Sequence, residues 1–365
     1  MYLKELQLQN FKNHTQIHFS FNEKVICFIG DNGAGKTNIL DAIHYLSQTK
    51  SYFNHIDLHN IKFNENYFML KGLFVKGENN IEIQCNIVEG KGKLMKNNNK
   101  KYQRFSEHIG KFPVVIISPT DTNLILEGSD VRRKYIDSSI AQYKQSYLQI
   151  LIQYNRVLKQ RNSLLKQYYD NHQIDSVVLE MYNQQIIDLG VSIHEERTAF
   201  IKELTPIFDQ YYHSISSGKE SVSLVYDSQL LNNSFPDLLE KSYKKDLFSG
   251  YTQCGIHKDD VLFNINEYPI KKMGSQGQQK SFLIALKLAQ FDFLSAKIGF
   301  KPVLLLDDIF DKLDHNRVLE LVRLVDNNVF GQVFITDTHK KRCVEILNTA
   351  NISHAIFMID NGSIV

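Results

Sequence analysis

The period of the hydrophobic pattern changes along the chain, and each change predicts a different kind of element. Over residues 1–29, Leu6, Leu8 and Phe11 keep mostly to one parity, Asn13-His14 breaks the run, and Ile17, Phe19 and Phe21 alternate again. Strands with one buried face have this pattern. Val25-Ile26-Cys27-Phe28-Ile29 is then apolar throughout and stops at Gly30, as expected of a strand covered on both faces. From about Thr37 the period lengthens, with Ile39, Leu40, Ile43 and Leu46 on one helical stripe. Short strand-like runs return between Phe68 and Val88, and the stretch from Gly90 to Lys101 is turn-rich and basic. Val114-Val115-Ile116-Ile117, closed by Ser118-Pro119, is a second candidate for a fully buried strand.

The pattern then becomes helical. From about Ser138, apolar or aromatic residues recur as Ile140, Tyr143, Tyr147, Ile150, Tyr154, Val157, Leu164 and Tyr168, in steps of three and four with one polar interruption at Arg161. A second helix carries Leu179, Ile186, Leu189, Ile193, Phe200 and Leu204, and Pro206 is expected to kink or end it. The turn-like link Tyr169-Asp170-Asn171-His172 folds the two back as an antiparallel pair, each roughly 45 Å long at the rise of a helix. Beyond a polar connection at 214–221, α/β patterning returns by Gly255, and a helical pattern spans Gln278 to Leu294. Pro302 introduces Val303-Leu304-Leu305-Leu306, and Val333-Phe334-Ile335 is the last strand candidate. Two α/β ends therefore flank a helical insertion.

Composition narrows the class rather than the function. A length of 365 residues suggests two domains, and 43% hydrophobic with 22% charged residues is globular, excluding disordered and collagen-like readings. The formal charge of +2 neither announces nor excludes a nucleic-acid partner. Cys27, Cys85, Cys254 and Cys343 lie far apart with no CxxC pair, which argues against a zinc site or a disulfide framework and reads as four small buried hydrophobes. No basic-then-apolar leader opens the chain and no run reaches eighteen apolar residues, so a cytoplasmic protein without a membrane span is expected.

The chemistry begins at Gly30-Asp31-Asn32-Gly33-Ala34-Gly35-Lys36-Thr37, which matches G-x-x-x-x-G-K-[ST] between a buried strand and an amphipathic helix. Such a loop wraps phosphate oxygens in backbone N–H groups at a helix N-terminus. Lys36 is expected to neutralise the β and γ phosphates of ATP, and Thr37 to ligate Mg²⁺. Val303 to Leu306 followed by Asp307-Asp308 reads as a Walker B strand. Asp307 would hold Mg²⁺ and Asp308 would orient or activate the attacking water, unless Asp308 is only a helix cap. Gly274-Ser275-Gln276-Gly277-Gln278-Gln279-Lys280 precedes a helix, where Ser275 is either an ordinary N-cap or a second phosphate grip.

A P-loop, a long insertion, a Ser-x-Gly-Gln helix cap and a Walker B strand with paired acids together resemble the ABC ATPase head of the SMC type. Within it the chain resembles the RecF family over nearly its whole length. Leu6 to Asn13, the P-loop with Asn38, Ser118-Pro119-Thr120-Asp121 and Gly128 to Asp137 carry this resemblance, with Gly255 to Asp260, Ser275 to Gln279 and the Asp307-Asp308 pair. Thr120-Asp121-Thr122 and Lys258 depart from the family pattern. The resemblance implies an α/β fold: a P-loop NTPase of ABC-ATPase head type with an inserted mainly helical second lobe, the head taking 1–111 and 251–365 and the insertion 112–250.

The resemblance also implies how the pieces are used. Ser275, Gly277 and Gln278 of one copy would cover the ATP held by residues 30–38 of another, so that ATP drives head-to-head dimerisation on double-stranded DNA. Weak, dimerisation-dependent and DNA-stimulated hydrolysis would release the clamp. RecR and RecO proteins are the implied partners in gap repair, replication and the SOS response. Asp311-Lys312-Leu313-Asp314 looks like the family's D-loop, and Thr336, Asp337, Thr338 and His339 all stand as candidates for the γ-phosphate sensor. Two basic stretches, Lys91 to Arg104 and Arg132-Arg133-Lys134, suit phosphate contacts or are simply solvated faces, with support of the nucleotide site or a lobe contact as a further alternative for Arg132 and Arg133. The competing readings are the ATPase subunit of a transporter and an ATP-gated scaffold that does not hydrolyse.

Overall fold

Val25–Ile29 is buried at every position, as in a strand covered on both faces, and it pairs along both edges with parallel strands, Val333–Asp337 and His354–Asp360. In the computed structural model, which describes residues 1–171, 173–216, 218, 220–309, 330–349 and 352–365, these strands belong to a six-stranded sheet. Its order is Ser363–Ile364, His354–Asp360, Val25–Ile29, Val333–Asp337, Val303–Leu306, Val114–Ile117. Apart from the Ser363–Ile364 edge, the sheet is parallel. The carboxyl ends of its strands therefore share one edge, where Gly30, Ser118, Asp307 and Thr338 follow their strands.

A second six-stranded sheet is antiparallel, ordered His14–Ser20, Tyr2–Phe11, Tyr67–Lys76, Asn79–Val88, Gly92–Asn97, Lys100–Lys101. Helix Lys36–Gln48 packs against strands of both sheets, and almost every residue after its first turn is buried. Its polar members are accordingly paired. Asp41 holds Lys12 at 2.6 Å and accepts from Ser51, and the Tyr45 hydroxyl donates to Asp57. Phe19, Phe21, Phe28, Phe334 and Phe357 form one aromatic cluster beside them, each fully buried ring contributing roughly 1.5–3 kcal/mol. The four cysteines are free and buried.

The chain divides into two units: residues 1–122, 210–219 and 275–365 form one, and 123–209 with 220–274 the other. Both bounds of the insertion differ from the sequence expectation of 112–250. Val114–Ile117 pairs with Val303–Leu306 and so lies in the first unit's sheet. At the other end, Asp260–Ile265 pairs with Val222–Asp227 and Tyr268–Pro269 in a three-stranded antiparallel sheet of the second unit.

The second unit's helices are Ser129–Tyr143, Gln145–Asn171, Phe235–Ser249 and most of Ser176–Ser216. Two sequence expectations change here, and a third is narrowed. The seam starting near Ser138 crosses two helices, broken at Lys144, whose backbone is extended; steps of three and four do not reveal such a break. Pro206 does not end its helix, which runs on to Ser216. Arg161 does not interrupt the seam but fills it: fully buried, it reaches Asp246 at 2.8 Å and donates to Thr252 and Asn183. Arg197 is the second such pin, gripping Asp137 through Nε and Nη2 and Asp259 through Nη1, with Tyr147 and Tyr226 hydroxyls on the same carboxylates. Among the described residues, no helix is long and apolar enough to cross a membrane.

Candidate nucleotide-binding site

The loop after Val25–Ile29 turns sharply into helix Lys36–Gln48, and its glycines are fixed by space and by backbone. A Cβ on Gly30 would lie 2.0 Å from the carbonyl oxygen of Ile359. Gly35, at φ 111°, caps the helix in a conformation that L side chains rarely adopt. Asp31, Asn32 and Gly33 are exposed, Ala34, Gly35 and Lys36 buried, and Thr37 and Asn38 half-buried. Lys36 Nζ folds back over the loop and donates to the carbonyls of Gly30 and Asp31 at 2.7 and 2.8 Å. Burial lowers its pKa, and Asp308, Asp307, Asp337 and Asp31 oppose that shift. A cation held among carbonyls and carboxylates at a helix N-terminus is placed to meet an anion.

Behind the loop stands a brace that motif reading misses. Asn38 Nδ2 donates to Asn13 Oδ1, and Asn13 Nδ2 donates to the Ala34 carbonyl at 3.1 Å. Buried His14 sits with Nε2 3.1 Å from the Gly35 carbonyl oxygen and Nδ1 2.8 Å from that of Gly362, and burial lowers its pKa. Asn38 thus turns its amide toward the brace. The only sequence signal for this arrangement is the Asn13-His14 break between two alternating strands.

Across the sheet edge, Asp307 is 5% exposed and, among the described residues, forms no ion pair. Three hydroxyls satisfy it instead: Thr37 and Thr336 donate to Oδ1 at 2.6 and 2.9 Å, and Ser118 donates to Oδ2 at 3.3 Å. Burial raises its pKa, and the hydroxyls and Lys36 oppose that shift. A buried carboxylate against the P-loop threonine hydroxyl is an all-oxygen donor pair, which fits Mg²⁺. Asp308 has a left-handed backbone, φ 49°, and its N–H donates to Thr336 Oγ1 at 2.9 Å. A bond to Thr336 thus fixes an unusual backbone beside the phosphate loop, where strain of this kind is functional more often than accidental.

Ser118 and Thr336 reach Asp307 because of register. Leu306 pairs with both Ile117 and Ile335, so the residue after each lies beside the residue after Leu306. Of the four sensor candidates, Thr336 and Asp337 are wholly buried and engaged, Asp337 by Arg342 at 2.7 Å and by the His339 N–H. Thr338 is half-buried and His339 exposed.

Ser275 caps helix Gln276–Ile298 in a reciprocal box: its hydroxyl accepts the Gln278 N–H, and its own N–H donates to Gln278 Oε1 at 2.6 Å. A serine hydroxyl that accepts one N–H still has its proton to donate, so the cap and phosphate-grip readings are compatible. Ser275 is exposed and Gly277 half-buried, and among the described residues no bond joins either to the P-loop of the same chain. The stretch 311–314 lies outside the described residues.

The basic stretches separate. Lys93 is held by Asp57 and the Thr49 carbonyl, whereas Lys91, Lys100, Lys101 and Arg104 are exposed. Arg132 grips Asp260 through two nitrogens and Arg133 donates to the Asp259 carbonyl, so both serve the second unit internally.

Residues 2–364 match the family described as RecF/RecN/SMC N terminal domain. A protein of Flavobacterium johnsoniae named DNA replication and repair protein RecF is 48% identical over 357 residues, covering 98% of this chain and 99% of its own. One of the same name from Bacteroides thetaiotaomicron is 43% identical over 366 residues, covering 100% and 98%. A solved structure described as the recombination mediator protein RecF-ATP in the RecFOR pathway superposes with a TM-score of 0.90 at 31% identity, covering 100% of this chain and 97% of that one. The Smc head of Pyrococcus furiosus shares the fold, with a TM-score of 0.57 at 17% identity.

Proposed function

The chain belongs to the RecF/RecN/SMC N-terminal family, in its RecF branch of DNA replication and repair proteins, and from that premise we propose that it is an ATP-dependent clamp on duplex DNA. Two copies, each with ATP on its P-loop, close head to head, and slow hydrolysis opens them. The clamp acts in the cytoplasm in recombinational gap repair, with RecR and RecO proteins as partners.

The observation that carries this reading is a site in two halves. Lys36, Thr37 and Asp307 meet at one sheet edge, while Ser275 stands exposed at its helix cap and, among the described residues, is bonded to Gln278 rather than to that loop. The backbone N–H groups of residues 33–37 and the Lys36 ammonium grip the phosphates. Thr37 and Asp307 would hold Mg²⁺, which when bound neutralises phosphate charge. Asp308, pinned by Thr336, orients the attacking water, and its side chain is shorter than the glutamate common in ABC heads. His339 is the exposed group at the end of its strand and is assigned to sense the γ-phosphate. Ser275 and the N–H groups of the first helical turn cover the triphosphate of the other copy.

The test pairs two variants. Lys36→Met should lose both ATP binding and the ATP-dependent dimer, whereas Ser275→Arg should bind ATP as a monomer and fail to dimerise, read by equilibrium nucleotide binding and sedimentation. Equal loss of nucleotide binding in both variants would overturn the split site.

A further inference from the structure

We infer that Ser118, Asp121 and Lys287 are positioning residues that connect the Asp307 carboxylate to helix Gln276–Ile298 within one chain. The inference rests on the ATP site proposed above.

Lys287 is the anomaly that leads to it. It lies among Leu286, Leu288 and Ala289 on a buried stretch of the helix, and is itself only 4% exposed. A methionine would fill that space without burying an ammonium group, and a buried ammonium is tolerated only when paired. Its partner is Asp121, also buried, at 2.8 Å, and Lys287 additionally donates to the Tyr52 hydroxyl at 3.2 Å.

Asp121 is a junction. One carboxylate oxygen takes Lys287 and the Tyr52 hydroxyl, and the other accepts the Ser118 N–H at 2.8 Å. The Ser118 hydroxyl in turn donates to Asp307. A second arm returns to the P-loop helix, because the Tyr52 N–H donates to Asp41 Oδ1 at 2.7 Å. Hydrogen bonds and one ion pair thus run without a gap from Asp307 and from Asp41 to Lys287, about three turns along the helix that Ser275 caps.

The arrangement can report occupancy. Asp307 has two oxygens and three hydroxyl donors, one of them the Thr37 hydroxyl. A group that claims Thr37 and Asp307 changes what Asp307 offers Ser118, and Ser118 is bonded to the carboxylate that holds the helix. Contiguous buried networks with discrete arrangements carry coupling of this kind. Nucleotide bound on a chain's own P-loop would thereby order the Ser275 turn that the same chain presents to its twin.

The experiment is hydrogen–deuterium exchange of the full chain with no nucleotide, with ATP and EDTA, and with ATP and Mg²⁺. It is run at protein concentrations where sedimentation shows only monomer, so that protection cannot come from a second copy. Protection of Lys36–Gln48 reports binding, and protection of the first turns of Gln276–Ile298 reports coupling. The parent should gain both with ATP and Mg²⁺. Ser118→Ala, which leaves the ion pair intact, and the charge-free pair Asp121→Asn with Lys287→Met should keep the first gain and lose most of the second, while Lys287→Arg retains both. The inference is overturned if the second gain is equal in all variants, or is absent from a parent that shows the first. A parent lacking even the first gain would bring down the ATP site as well.

Discussion

In the unit built from both ends of the chain, the buried carboxylate of Asp307 is satisfied by hydroxyl groups. In the inserted unit, the buried guanidinium groups of Arg161 and Arg197 are each paired with carboxylates, Asp246 for the first and Asp137 and Asp259 for the second. The two solutions differ in what they allow. A hydroxyl can turn away and leave the carboxylate to an incoming cation at little cost, so the first arrangement can exchange partners. An ion pair removed from water cannot lose one member without stranding the other, so the second is a pin. For Asp307 and the two arginines, the kind of partner rather than burial decides whether a bond can be exchanged.

The largest effect expected from breaking this contrast is at Arg197. Arg197→Met strands Asp137 and Asp259 and should lower the stability of the inserted unit by about 3–5 kcal/mol in denaturant titration, with ATP binding by the other unit retained. Asp307→Asn should do the opposite. It relieves a carboxylate whose pKa burial raises, so nucleotide-free stability should hold or rise while single-turnover hydrolysis falls by about 100-fold or more. Reversed outcomes for the two variants would refute the distinction.

Acid sharpens the comparison at intermediate scale. Burial lowers His44 and His108 of the first unit, and His257 of the second, from 6.5 to about 4. The unfolded chain takes up these protons first, so the stability they provide is complete above pH 6.5 and lost as pH falls toward about 4. Each contributes at most about 1.4 kcal/mol per pH unit. The first unit should therefore lose stability more steeply, and His257→Gln should flatten the loss only in the second, as followed by pH-dependent unfolding.

The smallest effect separates the basic stretches. Replacing exposed Lys100 and Lys101 by Gln should reduce the salt slope of duplex binding by about 2 if both meet phosphates. Arg132→Gln should leave that slope alone and lower the second unit's stability by about 1–2 kcal/mol through its lost contact with Asp260. A change of slope in Arg132→Gln would contradict its internal role.

What could be read from the sequence was what is local in it. Residues 30–37 carry their phosphate loop in one stretch, and Val303 to Asp308 its acidic strand in another. Ser118 was visible only as part of a family motif, because its bond to Asp307 depends on the register of two strands far apart in the chain. Arg161 reads as a break in a seam until Asp246, which comes from a later helix, is beside it. The insertion's limits moved because a buried four-residue strand does not show which sheet it joins, and the alternation at Val222–Asp227 and Asp260–Ile265 gained meaning only once the two were paired.

The parallel sheet carries a consequence for synthesis. The P-loop strand Val25–Ile29 has as immediate neighbours Val333–Asp337 and His354–Asp360. At ribosomal rates of about 5–20 residues per second, it waits on the order of 15–60 s for its partners to be made. The inserted unit has all its residues by 274, so it is free to fold while the nucleotide loop is still unsupported. A nascent chain stalled between the two events should carry a finished insertion and no ATP pocket, with Phe19, Phe21 and Phe28 left for a chaperone to cover.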